Sequence, residues 1–187
     1  MTPSATPPPQ PPDDDLVRAA QRGDVAAFQA LYTRYARRLY AFHLGYTGDP
    51  QLAEELVNDT FVRVWRALPR YQPRGNFRAW LFRIARNVAT DAHRRRQRRV
   101  EEVPLDDLER DGAVWPADDH DPRWPEVEAA LRTLSDDHRL VLLLRFLEGL
   151  STTEIATIMG RSPEAVRVLQ FRALRALRRR LDEMNAA

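Results

Sequence analysis

The chain has 187 residues, with 29 basic and 27 acidic side chains, and every cation is arginine. That length suits one ordinary domain or two small ones. The absence of cysteine excludes disulfides, thiolate metal sites and cysteine nucleophiles. With 43% hydrophobic and 30% charged residues, the composition is that of a soluble globular protein. No apolar run of about 18 residues occurs, so no helix is expected to span a bilayer. The first fifteen residues lack the basic start and apolar core of a secretory signal, and a cytosolic protein is expected.

Residues 1–12 are proline-rich and read as a disordered tail. Residues 13–99 carry helical periodicity with short breaks. Asp24 is placed to cap a helix running to about Tyr46, with Phe28, Leu31, Tyr32, Tyr35 and Leu39 on one side. Thr47-Gly48-Asp49-Pro50 is a turn followed by a helix start, Asp49 at the N-cap and Pro50 at the first helical position. That helix is expected to bury Val57, Phe61, Val64, Trp65 and Leu68 before Pro69 closes it. A loop from Arg70 to Gly75 follows, and then a long helix from about Asn76 to Arg99 with Phe77, Leu81, Ile84, Ala85 and Val88 inward.

Residues 100–123 are acidic, hold Pro104, Pro116 and Pro122, and show no sustained period beyond one expected helical turn near Asp106. They read as a linker. Residues 124–184 return to helix. Ser135 can cap a helix whose apolar run, Leu140 to Leu147, ends at Gly149. Ser151-Thr152-Thr153-Glu154 is a capping box opening a short helix that Gly160 stops. Ser162-Pro163 starts the last helix. Strand alternation is absent throughout. The expected fold is all-α, two small helical domains joined by the acidic linker.

Charge is distributed in blocks. Residues 61–99 hold twelve arginines against one acid, and residues 100–138 hold three against thirteen. Such a pattern suits basic, nucleic-acid-facing modules separated by an acidic connector. The short capped helix, glycine turn and longer helix form a helix-turn-helix pattern. On the last helix, Val166, Leu169, Ala173, Leu177 and Leu181 share the inner face. Opposite stand Arg167, Val168, Phe171, Arg172, Arg175 and Arg179. In a major groove the two apolar residues can touch thymine methyls while the arginines reach phosphates or guanine edges. In the first half, the loop residues Arg70, Tyr71, Arg74 and Asn76 precede a helix face expected to show Phe82, Arg83, Arg86, Thr90, His93 and Arg94. Arginines interleaved with aromatics suit single-stranded DNA, and the loop can hold one extruded base by its edge. The preceding helix carries Glu55, Asn58 and Asp59 outward, which solubility alone would explain.

Two stretches carry a family resemblance. Asp49 to Trp65 resembles region 2 of the sigma-70 family, and Asn76 to Asn87 resembles the promoter-melting part of that region. Gly149 to Ala173 resembles region 4. Two regions on a short chain resemble the extracytoplasmic-function (ECF) group of RNA polymerase sigma factors. The resemblance implies that Glu55, Asn58, Asp59 and Arg63 dock on core RNA polymerase. It implies that Arg70, Tyr71, Arg74 and Asn76 take a flipped minus-ten base, with Phe82, Arg83, Arg86, Asn87 and Arg94 guiding the melted strand. It implies that Arg167, Val168, Phe171, Arg172 and Arg175 face the minus-thirty-five element. The partners would be core polymerase, promoter DNA and, as is common in the family, an anti-sigma factor. No cofactor or metal is expected, and no catalysis by the chain itself.

Two other classes compete. A stand-alone helix-turn-helix repressor would bind duplex DNA without polymerase, but no dimerisation or ligand-binding segment stands out. A metal-dependent enzyme would need ligand spacing that His43, His93, His120 and His138 do not have.

Overall fold

The computed structural model describes residues 11–102 and 124–186, with side chains at 11–95 and 126–186. The tail up to residue 10, the connector from 103 to 123 with the turn expected near Asp106, and His120 lie outside the described residues. Among the described residues all regular structure is helical. The helices are α1 (Asp13–Gln21), α2 (Val25–Thr47), α3 (Pro50–Ala67), α4 (Phe77–Glu102), α5 (Trp124–Arg132), α6 (Asp136–Leu142), α7 (Thr152–Met159) and α8 (Pro163–Asn185). A 3-10 turn, Leu68–Arg70, follows α3, and α6 runs directly into a π-helical turn, Leu143–Leu147.

Local chemistry sets the starts of α2, α3, α7 and α8. The Asp24 carboxylate accepts from the Ala27 amide at 3.1 Å, and Asp49 accepts from Leu52 at 3.1 Å. Each satisfies one of the orphan N–H groups of a first turn. Ser151 and Glu154 form both halves of the capping box, and Ser162 accepts from Ala165 at 3.2 Å. Ser135 stands at the N-cap of α6 without a side-chain bond.

Packing then differs along α2. Its first half is amphipathic, burying Ala27, Leu31, Tyr35 and Leu39 at four-residue intervals. From Ala41 to Tyr46 every residue is buried. A helix apolar on all sides is one surrounded by protein. Here α3 and α4 contact α2, and so do α5, α6 and the π turn from the second half of the chain. Residues 139–144 are likewise all buried. The two halves therefore share one core. Gly45 permits their close approach, because a Cβ there would stand 2.7 Å from Leu143 Cδ2.

The polar residues of this junction are structural. Arg139 sends Nη1 to the Tyr46 carbonyl at 2.6 Å, Nη2 to those of Arg132 and Leu134, and Nε to that of Leu131. One guanidinium thus caps the carboxy-terminal carbonyls of both α2 and α5, where a cation is favoured. Arg38 Nη2 lies 2.9 Å from Glu148 Oε2 and also donates to the Glu148 carbonyl at 3.3 Å. Glu148 is buried, and burial pushes its carboxyl up to about 7 against the pull of Arg38. His93 Nε2 reaches Asp136 at 3.3 Å. Within the first half, the buried Thr60 hydroxyl donates to the Leu56 carbonyl at 2.7 Å. His43 Nε2–H must therefore donate to Thr60 Oγ1, 3.0 Å away, and burial pushes this imidazole down to about 3. His43 is a neutral core residue.

Candidate nucleic-acid interface

Three surfaces collect the residues singled out in the sequence. The first is the outer face of α3. Glu55, Asn58 and Asp59 are exposed on it. Arg63 lies to the side and donates to Asp91 of α4 at 3.0 Å. Trp65 was expected in the core but is 47% exposed. Its ring meets that of Phe28 edge-to-face, with centroids 4.7 Å apart. Val62 is exposed beside it. The face is thus acidic with an apolar end, a feature the charge pattern alone did not reveal. The helical spacing contains it, since Val62 follows Glu55 by seven residues and Trp65 follows Asn58 by seven.

The second surface is a cleft of about 250 Å³ between the 71–76 loop and α4, lined by Tyr71, Gln72, Arg74, Asn76, Trp80 and Arg83. Tyr71 and Trp80 lie with centroids 4.5 Å apart and rings tilted by 37°. The Tyr71 hydroxyl donates to Asn76 Oδ1 at 3.0 Å, and Arg74 donates to Gln72. Gly75 adopts φ +72, a left-handed conformation that favours glycine, and turns the chain into α4. Arg70, Arg83, Asn87 and Arg94 are exposed, and Arg86 is partly so. Phe82 departs from its expected place. It was expected on the exposed face but is 0% exposed, packed edge-on against Phe42 at 5.5 Å. It is unavailable for stacking on a base. Thr157 and Ile158 of α7 form the remaining wall of the cleft. The second half of the chain thus closes one side of it.

The third surface is α8. Val166 and Ala173 are buried, whereas Val168 is 48% and Phe171 is 62% exposed. Arg175 lies over the Phe171 ring at 5.7 Å. Arg167 and Arg172 are exposed on the same helix. His138, Arg172, Arg175 and Arg179 line a basic groove between α6 and α8. An apolar groove lined by Leu131, Leu143, Phe146, Leu147, Leu174 and Leu177 opens elsewhere on this half, and sequence reading did not single it out. Among the described residues no group of three or more histidines or carboxylates is arranged to hold a metal, and no helix is long and apolar enough to cross a membrane.

The sigma-70 region 2 family model matches residues 31–99, and the sigma-70 region 4 model matches residues 130–179. The chain is 32% identical over 186 residues to the RNA polymerase sigma-H factor of Pseudomonas aeruginosa, covering 92% of this chain and 95% of that protein. The chain belongs to the extracytoplasmic-function sigma factors of the sigma-70 family. It is 37% identical over 164 residues to the RNA polymerase sigma factor CarQ of Myxococcus xanthus, covering 85% of this chain and 91% of CarQ. It is 33% identical over 178 residues to the ECF RNA polymerase sigma factor BldN of Streptomyces coelicolor, of which it spans 66% of the length. Among solved structures, CnrH in complex with the cytosolic domain of CnrY is similar at TM-score 0.70 and 31% identity, covering 91% of this chain and 97% of that one. RpoE of Bartonella quintana, in complex with the anti-sigma factor NepR, is similar at TM-score 0.73 and 27% identity, covering 84% of this chain and 98% of RpoE. As a sigma factor, the chain serves promoter-directed initiation of transcription.

Proposed function

We propose that this sigma factor works in the cytoplasm by docking on core RNA polymerase through the α3 face, selecting promoters through two DNA surfaces, and performing no chemistry itself. Glu55, Asn58 and Asp59, with Val62 and Trp65 beside them, form the docking face, and Arg63 braces α3 against α4. The loop of Arg70, Tyr71, Arg74 and Asn76 takes an extruded minus-ten base. Arg83, Arg86, Asn87 and Arg94 track the backbone of the melted strand, without Phe82. On α8, Arg167, Val168, Phe171, Arg172 and Arg175 read the minus-thirty-five element. The observation that carries the reading is the pairing, in one chain, of an aromatic, amide-bearing cleft with a helix that holds Val168 and Phe171 in solvent among arginines. Base-edge and stacking contacts select, and arginine–phosphate contacts set affinity and register. The similar structures of CnrH and RpoE are complexes with a CnrY cytosolic domain and the anti-sigma factor NepR. An anti-sigma partner follows for this chain by that similarity.

Run-off transcription tests the reading. The purified chain and bacterial core polymerase act on sheared DNA of the source genome, and the transcripts are sequenced. Discrete starts sharing two upstream motifs are expected. Absence of new starts, together with sequence-specific duplex binding without polymerase, would replace this reading by that of a repressor.

A further inference from the structure

Helix α1 precedes the segment that matches region 2 and contributes no residue to the lining of the cleft or of the basic groove. It nevertheless holds the 71–76 loop at both ends. Gln21 Nε2 donates to the Leu68 carbonyl at 2.9 Å and to the Tyr71 carbonyl at 2.7 Å. Asp14 Oδ2 accepts from the Gly75 amide at 2.8 Å. The helix that supplies these groups is itself fixed. Leu16, Val17 and Ala20 are buried against the core, the Tyr35 hydroxyl donates to Asp13, and Arg34 pairs with the same carboxylate. The tethered atoms are those that orient the cleft. The Tyr71 carbonyl belongs to the residue whose ring meets Trp80 and whose hydroxyl meets Asn76. The Gly75 peptide directly precedes Asn76 and sits in the left-handed turn.

We propose that Asp14 and Gln21 are positioning residues for base selection, and that α1 is a splint that pre-sets the capture loop. The proposal rests on the reading of this loop as the minus-ten base site. The physical reason is preorganisation. A six-residue loop that must be ordered on binding loses backbone and side-chain freedom at that moment, and a tethered loop has already lost it. Selectivity depends on this more than affinity does. A loose loop can tilt to fit a wrong base edge, whereas a fixed one leaves the wrong base with unpaired polar groups.

The test uses the full chain bound to core polymerase. The probe is a labelled single-stranded non-template oligonucleotide carrying the minus-ten sequence recovered by run-off. A second oligonucleotide has the captured base replaced. The readout is the ratio of the two dissociation constants, which does not depend on the fraction of active protein. Gln21→Glu keeps shape but presents acceptors to two carbonyls, and Asp14→Ala deletes the Gly75 acceptor. Both are expected to lower the ratio about tenfold, a change of about 1.4 kcal/mol, while affinity for core is kept. Asp14→Asn retains an acceptor oxygen and is expected to keep the wild-type ratio. If Gln21→Ala and Asp14→Ala fold and discriminate like the wild type, the splint is wrong. A wild type that does not discriminate would overturn the base-capture reading of the loop, and the splint with it.

Discussion

Glu148 gives the junction between the two halves a dependence on pH. Its carboxyl is buried, and burial raises its pKa from 4.5 to about 7 although Arg38 lies 2.9 Å away. Arg38 is 37% exposed, so water screens the pairing that would otherwise hold the carboxylate charged. In the unfolded chain, or with the halves apart, the carboxyl regains its ordinary value. Between about pH 4.5 and 7 the closed chain therefore holds a proton that the opened chain has released. Stability is fully present below 4.5 and is lost as pH rises through 7. A shift of this size corresponds to about 3 kcal/mol, most of it between pH 5 and pH 8. The assay is urea unfolding followed by far-UV circular dichroism, with the free energy of the first transition compared at pH 5 and pH 8. Glu148→Gln mimics the neutral form and should be flatter than the wild type by about that amount. The difference between the two proteins cancels titrations at other groups. Parallel pH profiles for wild type and Glu148→Gln would refute the reasoning.

Other consequences are open to measurement. Arg139→Met leaves four carbonyls without their shared donor and should cost about 3–5 kcal/mol in urea unfolding, with Arg139→Lys retaining part of it. An unchanged midpoint would show that water replaces the guanidinium. Gly45→Val should destabilise by about 1–3 kcal/mol through the clash with Leu143. Adding Leu143→Ala should cost less on that background than alone, and strict additivity of the two changes would count against the contact. Reversal of charge at Glu55 and Asp59 should weaken association with core polymerase, read by co-elution, and normal co-elution would move the docking face elsewhere.

The local layer of this structure was legible in the sequence, and the long-range layer was legible only in part. Caps at Asp24, Asp49, Ser151 and Ser162 depend on neighbours within three residues, so residue type and spacing suffice. The exposed pair Val168 and Phe171 followed from the helical period for the same reason. Phe82 was misplaced because the apolar stripe of α4 is wider than the one drawn from Phe77, Leu81, Ile84, Ala85 and Val88, and extends round to Ala89. Phe82 stands three residues before Ala85 and seven before Ala89, both fully buried, and belongs to that same stripe. Trp65 was misplaced because the end of α3 is covered in part only, which leaves the ring packed on Phe28 and 47% exposed. The union of the halves had a signal that periodicity does not weigh. Residues 41–46 and 139–144 have no polar face, and the one imidazole and one guanidinium among them, His43 and Arg139, are both held by internal bonds. The bonds from Asp14 and Gln21 to the loop had none, since they join residues about 50 to 60 positions apart through backbone atoms, whose partners residue type does not specify.

The closed arrangement and the promoter impose incompatible distances. Elements centred near minus ten and minus thirty-five are about 25 base pairs apart, roughly 85 Å along B-form DNA at 3.4 Å per pair. A compact chain of this length has a radius of gyration of about 16 Å. The closed chain cannot engage both elements at once. In addition, Thr157 and Ile158 stand in the wall of the cleft assigned to the minus-ten base. Promoter recognition on this reading requires the junction of Gly45 with Leu143, Tyr46 with Arg139 and Arg38 with Glu148 to separate. The make-up of the junction favours separation more than an all-apolar interface of the same extent would. Opening returns the Glu148 carboxyl to water and frees the one Arg139 nitrogen that reaches Tyr46, the other three bonds of the guanidinium lying within the second half, and this offsets part of the loss of leucine packing. A partner can then shift the chain from closed to open only by its differential affinity for the open form. Core polymerase has that preference if it holds the two halves at the spacing of the two elements, whereas an anti-sigma factor that binds across the closed halves has the opposite one. The Glu148 proton adds to the closed side of that equilibrium.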